Sequence, residues 1–351
     1  MNEITQAQKQ AVDKRFKLAS TMNPINAMLY NLAMRSAGEY SEAEHFAVNM
    51  QPVVSDSEQF AAMRNKVDLL PLDAIKEKIK LPSAPGVILE LQKALDAGAS
   101  SRRIAQIIQY DLKFTSAILS LVNSPLYALP FKVQTLERAI TVIGTREISS
   151  LGLGVRILSM FEDSASEDLP LNIFWKHSVA CAVLAHDIAR LCAREKPERY
   201  LVAGLMHDMG RLLFFTNYPE LCKACLYLQQ KEEIPLLKTE LEVFNVEHTM
   251  LGGILFGDWK MPKNIIHSAL YHHDPQNCLG KDIPEVVYVA NQIATALGIC
   301  CNRFYNLEPA EDIWKKLGIE EDELNSMVDN LNDRLWAIYC SLFPYSDECP
   351  V

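Results

Sequence analysis

Residues 174–190 read FWKHSVACAVLAHDIAR, a segment whose apolar side chains recur with the period of an α-helix. Phe174 lies three residues before His177 and Leu184 lies seven residues after it, so the three side chains share one face of the helix. Because that face is apolar, the imidazole of His177 is expected to point into the protein. His186 follows nine residues later, which at about 100° per residue turns it by about 180°, away from that face. The segment predicts a buried helix with one inward histidine.

The segment LVAGLMHDMGRLLFF, residues 201–215, places a histidine and a carboxylate side by side among apolar residues. Burying His207 and Asp208 without partners would cost several kcal/mol, so they must bind each other, other protein groups or a metal ion. Neutral imidazole and ionised carboxylate are natural ligands of first-row transition metals. The pair is therefore the first candidate for chemistry in this chain.

Two further segments offer inward imidazoles. His248 precedes Leu251 on an apolar face, and His272 and His273 end the helix that begins near Pro262. For a single buried histidine, a hydrogen-bonded place in the core is the simpler interpretation. Four separate helices that each offer an inward imidazole, together with an adjacent carboxylate, favour a metal site.

Helical periodicity extends over most of the chain, and strand alternation is nearly absent. Asp111 is placed to cap one short helix and Asn123 to end it. Longer helices are predicted over 173–192, 199–216, 236–257, 262–273 and 283–298. No fixed repeat period occurs, so we predict a compact all-α multi-helix bundle rather than a solenoid.

The predicted domain organisation has three parts. A helical N-terminal extension covers 1–78 and includes helices near 57–66 and 72–80. The central domain covers 79–300, with an N-terminal helical half at 79–165 and a second half at 166–300, and a helical C-terminal extension covers 301–351.

The composition is that of a soluble globular protein, with 49% hydrophobic and 22% charged residues in a chain of 351. Asp and Glu outnumber Lys and Arg by 44 to 34, so the net charge is −10 and binding to nucleic acid or to an anionic membrane is disfavoured. The polar N-terminus lacks the apolar core of a secretory signal, and no apolar run approaches about 18 residues. We therefore expect a cytoplasmic protein with no nucleic-acid partner and no membrane contact.

The cysteines fit a reducing compartment. There are nine of them, an odd number, and a chain of this length needs no disulfide to fold. Cys222 and Cys225 have the spacing of half a zinc or redox site, but no second pair follows at a suitable distance. We interpret these two as ordinary residues of a helix.

The motifs together resemble the HD superfamily and its HD-GYP branch. The resemblance is carried by His177, the pair His207-Asp208, His248 and the pair His272-His273. With LPSAP at 81–85, Asp111, Asn123-Ser124-Pro125 and the segment 139–144, the chain is similar specifically to the HDOD family, over about residues 81–300. This resemblance implies a helical bundle of the HD-domain type.

The resemblance also implies a set of metal ligands, which falls on His177, His207, Asp208, His248, His272, His273 and Asn291. The first three match ligands of the first metal in HD enzymes, and the histidines from His248 onward match those that hold a second metal in HD-GYP proteins. Asp208 would be the catalytic residue if the chain is an enzyme.

Three departures separate the chain from the active enzymes of the superfamily. Asn291 stands where they have a later Asp, and Ile173 stands where HD-GYP enzymes have a Glu four residues before the first histidine. The segment after His273, DPQNCLGKDIP, lacks a DGxGYP-like motif. With Asp208 as the only negative ligand, two dications would be poorly neutralised. One transition-metal ion, with iron or manganese favoured, can be held by imidazoles and one carboxylate.

Members of the HDOD family are usually described as regulatory output or adaptor modules. We therefore predict a signal-transduction or regulatory adaptor protein with a degenerate, non-catalytic HD-type site, a signalling protein as its partner and a small nucleotide as a candidate ligand. The alternative is a metal-dependent phosphohydrolase that acts on a nucleotide or a cyclic dinucleotide. Replacing His207 and Asp208 would abolish turnover in the second case and mainly alter stability or partner binding in the first.

Overall fold

The structure is a computed structural model, and it describes residues 5–17, 19, 23–49, 79–161, 171–232, 234–280, 282–300, 309–343 and 349. Within these ranges the chain forms α-helices joined by turns and one short 3-10 helix, and no β-strand occurs. This confirms the predicted all-α fold. The helices predicted near 57–66 and 72–80 lie outside the described residues apart from positions 79 and 80, so the limits of the N-terminal extension stay predictions.

The helices of the first part of the chain are α1 (Gln6–Arg15), α2 (Pro24–Asn49), α3 (Gly86–Asp96), α4 (Ser101–Gln109), α5 (Leu112–Val122), α6 (Leu136–Ile143) and α7 (Thr145–Ser159). Those of the second part are α8 (Leu171–Leu191), α9 (Glu198–Met206), α10 (Met209–Asn217), α11 (Pro219–Glu232), α12 (Leu236–Phe244), α13 (His248–Asp258), α14 (Lys263–Tyr271), α15 (Asp282–Ala296), α16 (Glu311–Leu317), α17 (Glu321–Val328) and α18 (Leu331–Leu342). The 3-10 helix, Pro275–Asn277, follows α14.

Polar side chains set the ends of the short helices in the first part. Asp111 caps α5, and its carboxylate accepts a hydrogen bond from the backbone N–H of Phe114 at 3.1 Å. Asn123 follows the last residue of α5, and its side-chain amide donates to the carbonyl oxygen of Val133 and accepts from the N–H of the same residue. Both predicted roles are confirmed, and Asn123 ties the loop after α5 to the helix end.

Two helices that the periodicity predicts as continuous are interrupted. The helix predicted over 199–216 is divided into α9 and α10, because the ring of His207 takes the carbonyl oxygen of Gly204 that a continuous helix would give to the N–H of Asp208. The helix predicted over 236–257 is divided at Asn245, which adopts the left-handed conformation with φ at 58°. Asn tolerates this conformation better than most residues, and the turn redirects the chain from α12 to α13.

Helix α8 lies at the centre of the second part. It packs against α9, α15 and α18, and most of its residues from Leu171 to Ala189 are buried. Helix α13 packs against α10 and α14, and α9 packs against α7, α14 and α15. These contacts bring the turn between α9 and α10, the start of α13 and the end of α14 to the same side of α8.

The cysteines differ in part from the expectation. Cys222 and Cys225 are buried in α11, as predicted for helix residues. Cys340 and Cys349 form a disulfide with their Cα atoms 5.6 Å apart, contrary to the expectation that the cysteines stay reduced. Within the described residues, no helix combines the length and the apolar character needed to cross a bilayer.

Candidate metal centre

Apart from Asn291, the predicted ligands lie on three helix ends and one helix interior. His177 is inside α8, His207 and Asp208 form the turn between α9 and α10, His248 is the first residue of α13, and His272 and His273 directly follow α14. The Oδ1 atom of Asp208 lies 3.1 Å from His248 Nε2, 3.3 Å from His272 Nε2 and 3.6 Å from His207 Nε2. Its Oδ2 atom lies 3.7 Å from His177 Nε2. Four imidazoles from different parts of the chain therefore converge on one carboxylate.

This cluster is enclosed by protein. His248 and His272 have no exposed surface, His207 keeps 1%, and Asp208 keeps 4% of its surface accessible. Charged groups rarely occupy such positions unless they are paired or bind a metal. The burial expected for the pair His207-Asp208 and for the inward face of α8 is confirmed.

The Nδ1 atom of each imidazole is held by an acceptor on the outer side of the cluster. His177 Nδ1 donates to Ile299 O at 2.6 Å, His207 Nδ1 to Gly204 O at 2.7 Å, His272 Nδ1 to Ser268 O at 3.0 Å, and His248 Nδ1 to Glu240 Oε2 at 2.7 Å. Carbonyl oxygens and carboxylates only accept, so the Nδ1 atoms carry the protons. The Nε2 atoms consequently face Asp208, which is the orientation that metal-binding histidines have.

The electrostatics of the cluster separate its histidines. Burial lowers the pKa of His207 well below its ordinary value, against the opposing effect of Asp208, and it lowers the pKa of His177 in the same way. Burial also acts to lower the pKa of His248, but the carboxylates of Glu240 and Asp208 outweigh it and raise that pKa to about 9. His177 and His207 are therefore neutral at pH 7, the form in which imidazole binds metals.

The carboxyl group of Asp208 is ionised in this environment. Burial acts to raise its pKa, but the imidazoles of His207 and His248 outweigh the burial and hold the pKa well below the ordinary value. Arg211 adds a further positive group, with its Nη1 atom 3.3 Å from Asp208 Oδ2. The centre thus offers one negative charge, neutral imidazole nitrogens on His177 and His207, and a protonated His248 that must lose a proton before it can bind a metal.

The donor atoms present fit a transition-metal ion. The side chains of Asp208, His248, His272 and His273 place one ligand atom each within 4.8 Å of one another, and His177, Cys181 and His207 do the same. His207 Nε2 and His273 Nδ1 are buried without a hydrogen-bond partner in the described part of the chain. Two ligand atoms about 2.1 Å from one ion lie about 3 to 3.6 Å apart, which is the spacing seen here. An ion bound by either group would satisfy the orphaned nitrogen of that group.

Asn291 differs from the other predicted ligands. It is buried in α15, where its Oδ1 accepts a hydrogen bond from the hydroxyl of Thr295 at 3.4 Å. Among the described residues no hydrogen bond links it to Asp208 or to the imidazoles. Its part in a metal site stays a prediction. His186 lies outside both groups, as its rotation from His177 predicts. It is nevertheless buried beside Tyr127, so the expectation of a single inward histidine on this helix was wrong, because α8 is packed on more than one face.

Two charged residues of this site were not identified from the sequence. Glu240 accepts hydrogen bonds from both Nδ1 and the backbone N–H of His248, at 2.7 and 3.0 Å, and so fixes the first turn of α13. Arg211 contacts Asp208. For Glu240 the sequence does carry a signal, because this residue stands in the i, i+3, i+4 series of apolar residues that starts at Leu236. A charged residue in such a series requires a buried partner.

Glu240→Gln is expected to weaken metal binding about 10- to 100-fold, because the amide still accepts the Nδ1–H of His248 but removes the charge that makes this imidazole a strong donor. Metal affinity measured by competition with a chromophoric chelator checks the value. Glu242→Gln, on the same helix and only half-buried, is the matched control and should bind like the wild type. Equal affinity in both variants would show that Glu240 does not support the centre.

Comparison with known families gives an independent result. The HDOD domain family model matches residues 81–275, more than half of the chain. An uncharacterized protein of Treponema pallidum (strain Nichols) is 23% identical over 200 residues, which cover 55% of this chain and 38% of that protein. The chain thus corresponds to about two fifths of the length of this relative.

Three solved structures illustrate the shared fold. An HDOD domain protein of unknown function from Geobacter sulfurreducens is 22% identical with a TM-score of 0.63, covering 82% of this chain and 98% of that one. A protein from Shewanella amazonensis SB2B, provisionally named a phosphohydrolase, is 17% identical with a TM-score of 0.61, covering 77% and 97%. A protein from Marinobacter aquaeolei VT8, provisionally named a signal transduction protein, is 16% identical with a TM-score of 0.62, covering 85% and 68%.

At these identities the structural neighbours show a common fold and nothing about chemistry. The family model carries the assignment, since it covers the helices from α3 to α14 and includes all of the converging imidazoles. The chain belongs to the HDOD family.

Proposed function

We propose that this chain is a non-catalytic signal-transduction protein whose buried cluster holds one transition-metal ion as a structural element. The observation that carries the proposal is the enclosure of the cluster, in which the exposed fractions of His207, Asp208, His248 and His272 lie between 0 and 4%. A phosphate ester would need an open coordination position and a path to it.

The charge at the centre also favours one ion over two. Among the clustered side chains of the described residues that could bind a metal, Asp208 is the single carboxylate. Its Oδ2 atom also contacts the guanidinium of Arg211. Asn291 and Ile173 supply no charge where the related enzymes have carboxylates. The resemblance assigns the ion to His177, His207 and Asp208, while the ligand atoms of His248, His272 and His273 also group with the same carboxylate. Iron or manganese agrees with this mixture of imidazole and carboxylate donors.

A bound ion would supply Lewis acidity and could lower the pKa of a coordinated water. The residues around it do not complete a hydrolytic site, because the cluster contains no second carboxylate free to accept a proton. Glu240 is committed to His248 through two hydrogen bonds. The role of the cluster is then to fix the relative positions of α8, α9, α13 and α14.

A regulatory role agrees with the family and with the provisional name of one structural neighbour as a signal transduction protein. The partner would be another signalling protein. The second candidate function is a metal-dependent phosphohydrolase acting on a nucleotide or a cyclic dinucleotide. One observation favours it: both oxygens of Asp208 face imidazoles, with His248 on one side and His177 on the other. A carboxylate in that position could bridge two ions.

Metal analysis tests the proposal directly. The full chain, purified without chelators, is expected to contain about one equivalent of a transition metal by inductively coupled plasma mass spectrometry. The His207→Ala/Asp208→Ala variant should contain none, because two of the three principal donors are removed. His186→Ala removes a buried histidine outside the cluster and is the control, with metal content equal to the wild type. No metal in any of the three proteins would overturn the structural-metal proposal.

The same preparations separate the two functions. Phosphomonoesters, phosphodiesters and cyclic dinucleotides are incubated with the metal-loaded wild type, and released phosphate or mononucleotide is measured. We expect no turnover above that of the His207→Ala/Asp208→Ala variant. Turnover that disappears in this variant would favour the phosphohydrolase, whichever metal is present.

A further inference from the structure

A cavity of about 350 Å³ lies between α3, α7, α9 and α14, apart from the metal cluster. Its polar lining consists of Asp96, Arg146, Ser150, Arg199 and Asn264. The remaining lining is apolar and comes from Leu95, Leu153, Val202, Met261, Pro262 and Ile265. The volume is at the lower end of the roughly 300 to 1,000 Å³ that small-molecule sites occupy.

The two arginines of this cavity are without partners. Neither Arg146 nor Arg199 forms an ion pair or a side-chain hydrogen bond with a described residue. Several other arginines of the described chain pair with carboxylates, as Arg103 does with Glu90 at 2.6 Å, although Arg102 and Arg190 also form no ion pair with a described residue. Two guanidinium groups therefore face one cavity against a single carboxylate, that of Asp96. Guanidinium groups bind phosphate through paired, charge-assisted hydrogen bonds.

The backbone adds to this positive character. Arg146, Arg199 and Asn264 are each the second residue of a helix, in α7, α9 and α14. None of these three helix starts has a side-chain cap, although the backbone N–H groups of Arg199 and Ile265 already donate to Lys196 O and Pro262 O. Three helices that begin at one cavity direct the positive ends of their dipoles towards it.

We infer that this cavity binds a phosphate-bearing mononucleotide. The phosphate group lies at Arg146 and Arg199, and the flat base packs on the apolar lining formed by residues such as Leu153 and Val202. The carboxylate of Asp96 repels phosphate and accepts hydrogen bonds from ribose or from an amino group, which orients the ligand. The volume suits one nucleotide and is small for a cyclic dinucleotide.

The cavity is separate from the metal centre but is joined to it by two helices. Arg199 and Asn264 stand at the start of α9 and α14, while His207 and His272 follow the ends of the same helices. Each helix has nine residues, a length of about 13 Å. Substitutions at the cavity therefore leave the metal donors in place, and the inference does not depend on the presence of a metal.

Isothermal titration calorimetry of the full chain tests the inference with AMP, GMP, inorganic phosphate and adenosine. We expect AMP or GMP to bind, and adenosine, which lacks the phosphate, to bind at least about tenfold more weakly. Arg146→Gln/Arg199→Gln should weaken the nucleotide about tenfold or more, since two charge-assisted contacts are lost. Arg102→Gln, an exposed arginine of α4, is the control and should bind as the wild type does.

Three results would overturn the inference. These are no binding of AMP or GMP at millimolar concentrations, equal affinity in the wild type and in the Arg146→Gln/Arg199→Gln variant, and inorganic phosphate that binds as tightly as both nucleotides. Thermal melting and metal content of each variant are measured alongside. A variant that melts like the wild type and keeps its metal, yet loses the nucleotide, supports the site independently of the cluster.

Discussion

Asp208→Asn is expected to abolish stoichiometric metal binding and to lower the free energy of unfolding of the metal-free protein by about 3 kcal/mol or more. Without a metal, the carboxylate faces two cations, the imidazolium of His248 and the guanidinium of Arg211 at 3.3 Å. Burial acts to lower the pKa of His248, but Glu240 and Asp208 outweigh it and raise that pKa to about 9. An amide of the same shape leaves these buried cations without that counter-charge. Breaking one side of a buried charge pair is far more costly than losing a surface pair.

The pH of the measurement follows from the direction of the pKa shift. The pKa of Asp208 in the folded protein lies well below its ordinary value, which is about 3.9 in an unfolded chain. Its stabilising contribution is therefore fully present above that value and is lost only as the pH falls through the folded pKa. Denaturant unfolding at neutral pH, with and without a chelator, measures the whole effect. The difference in the free energy of unfolding between the wild type and Asp208→Asn should grow when metal is present, because only the wild type binds it.

The matched control is the second His-Asp dipeptide of the chain. Asp187 pairs with Arg334 at 2.5 Å and lies outside the cluster. Asp187→Asn should cost about 1 kcal/mol, since Arg334 keeps its hydrogen bond to Met327 O, and metal content should not change. If Asp208→Asn unfolds at the same denaturant concentration as Asp187→Asn, or retains metal, the central role of Asp208 is wrong.

The inward histidines could be predicted because their signals are local. His177 follows Phe174 on the apolar face of a long helix, and His207 adjoins Asp208 in an apolar segment, so each position requires a buried partner whatever the tertiary fold. That reasoning places side chains on faces of single helices. It predicts a cluster only because several helices each carry a histidine on an apolar face.

Features that depend on how helices meet could not be predicted from local patterns. The contact between Glu240 and His248 requires the chain to turn at Asn245, whereas the periodicity predicted one continuous helix over 236–257. The cavity that Arg146 and Arg199 share likewise depends on the packing of α7 against α9. Neither arginine is unusual in sequence, and only the tertiary structure brings their helix starts together.

Gly210→Ala is expected to lower the free energy of unfolding by about 3 kcal/mol and to reduce metal content, because α10 and α13 touch through their backbones at this residue. A Cβ atom at Gly210 would collide with the carbonyl oxygen of His248 and lie 2.7 Å from the backbone nitrogen of Gly252. Backbone atoms of a packed helix cannot move aside as a flexible side chain can. Relief of the collision must push α13 away from α10, and this displaces His248 from Asp208.

Gly257→Ala provides the control on the same helix, α13. A Cβ atom there meets no atom within 4 Å, and the residue is exposed. Alanine should leave the metal content unchanged and shift the free energy of unfolding by no more than about 1 kcal/mol, towards greater stability, since glycine is the weaker helix former. Guanidinium unfolding and metal analysis of both variants measure the contrast. A Gly210→Ala protein with wild-type stability and metal content would mean that the spacing of α10 and α13 does not position His248 against Asp208.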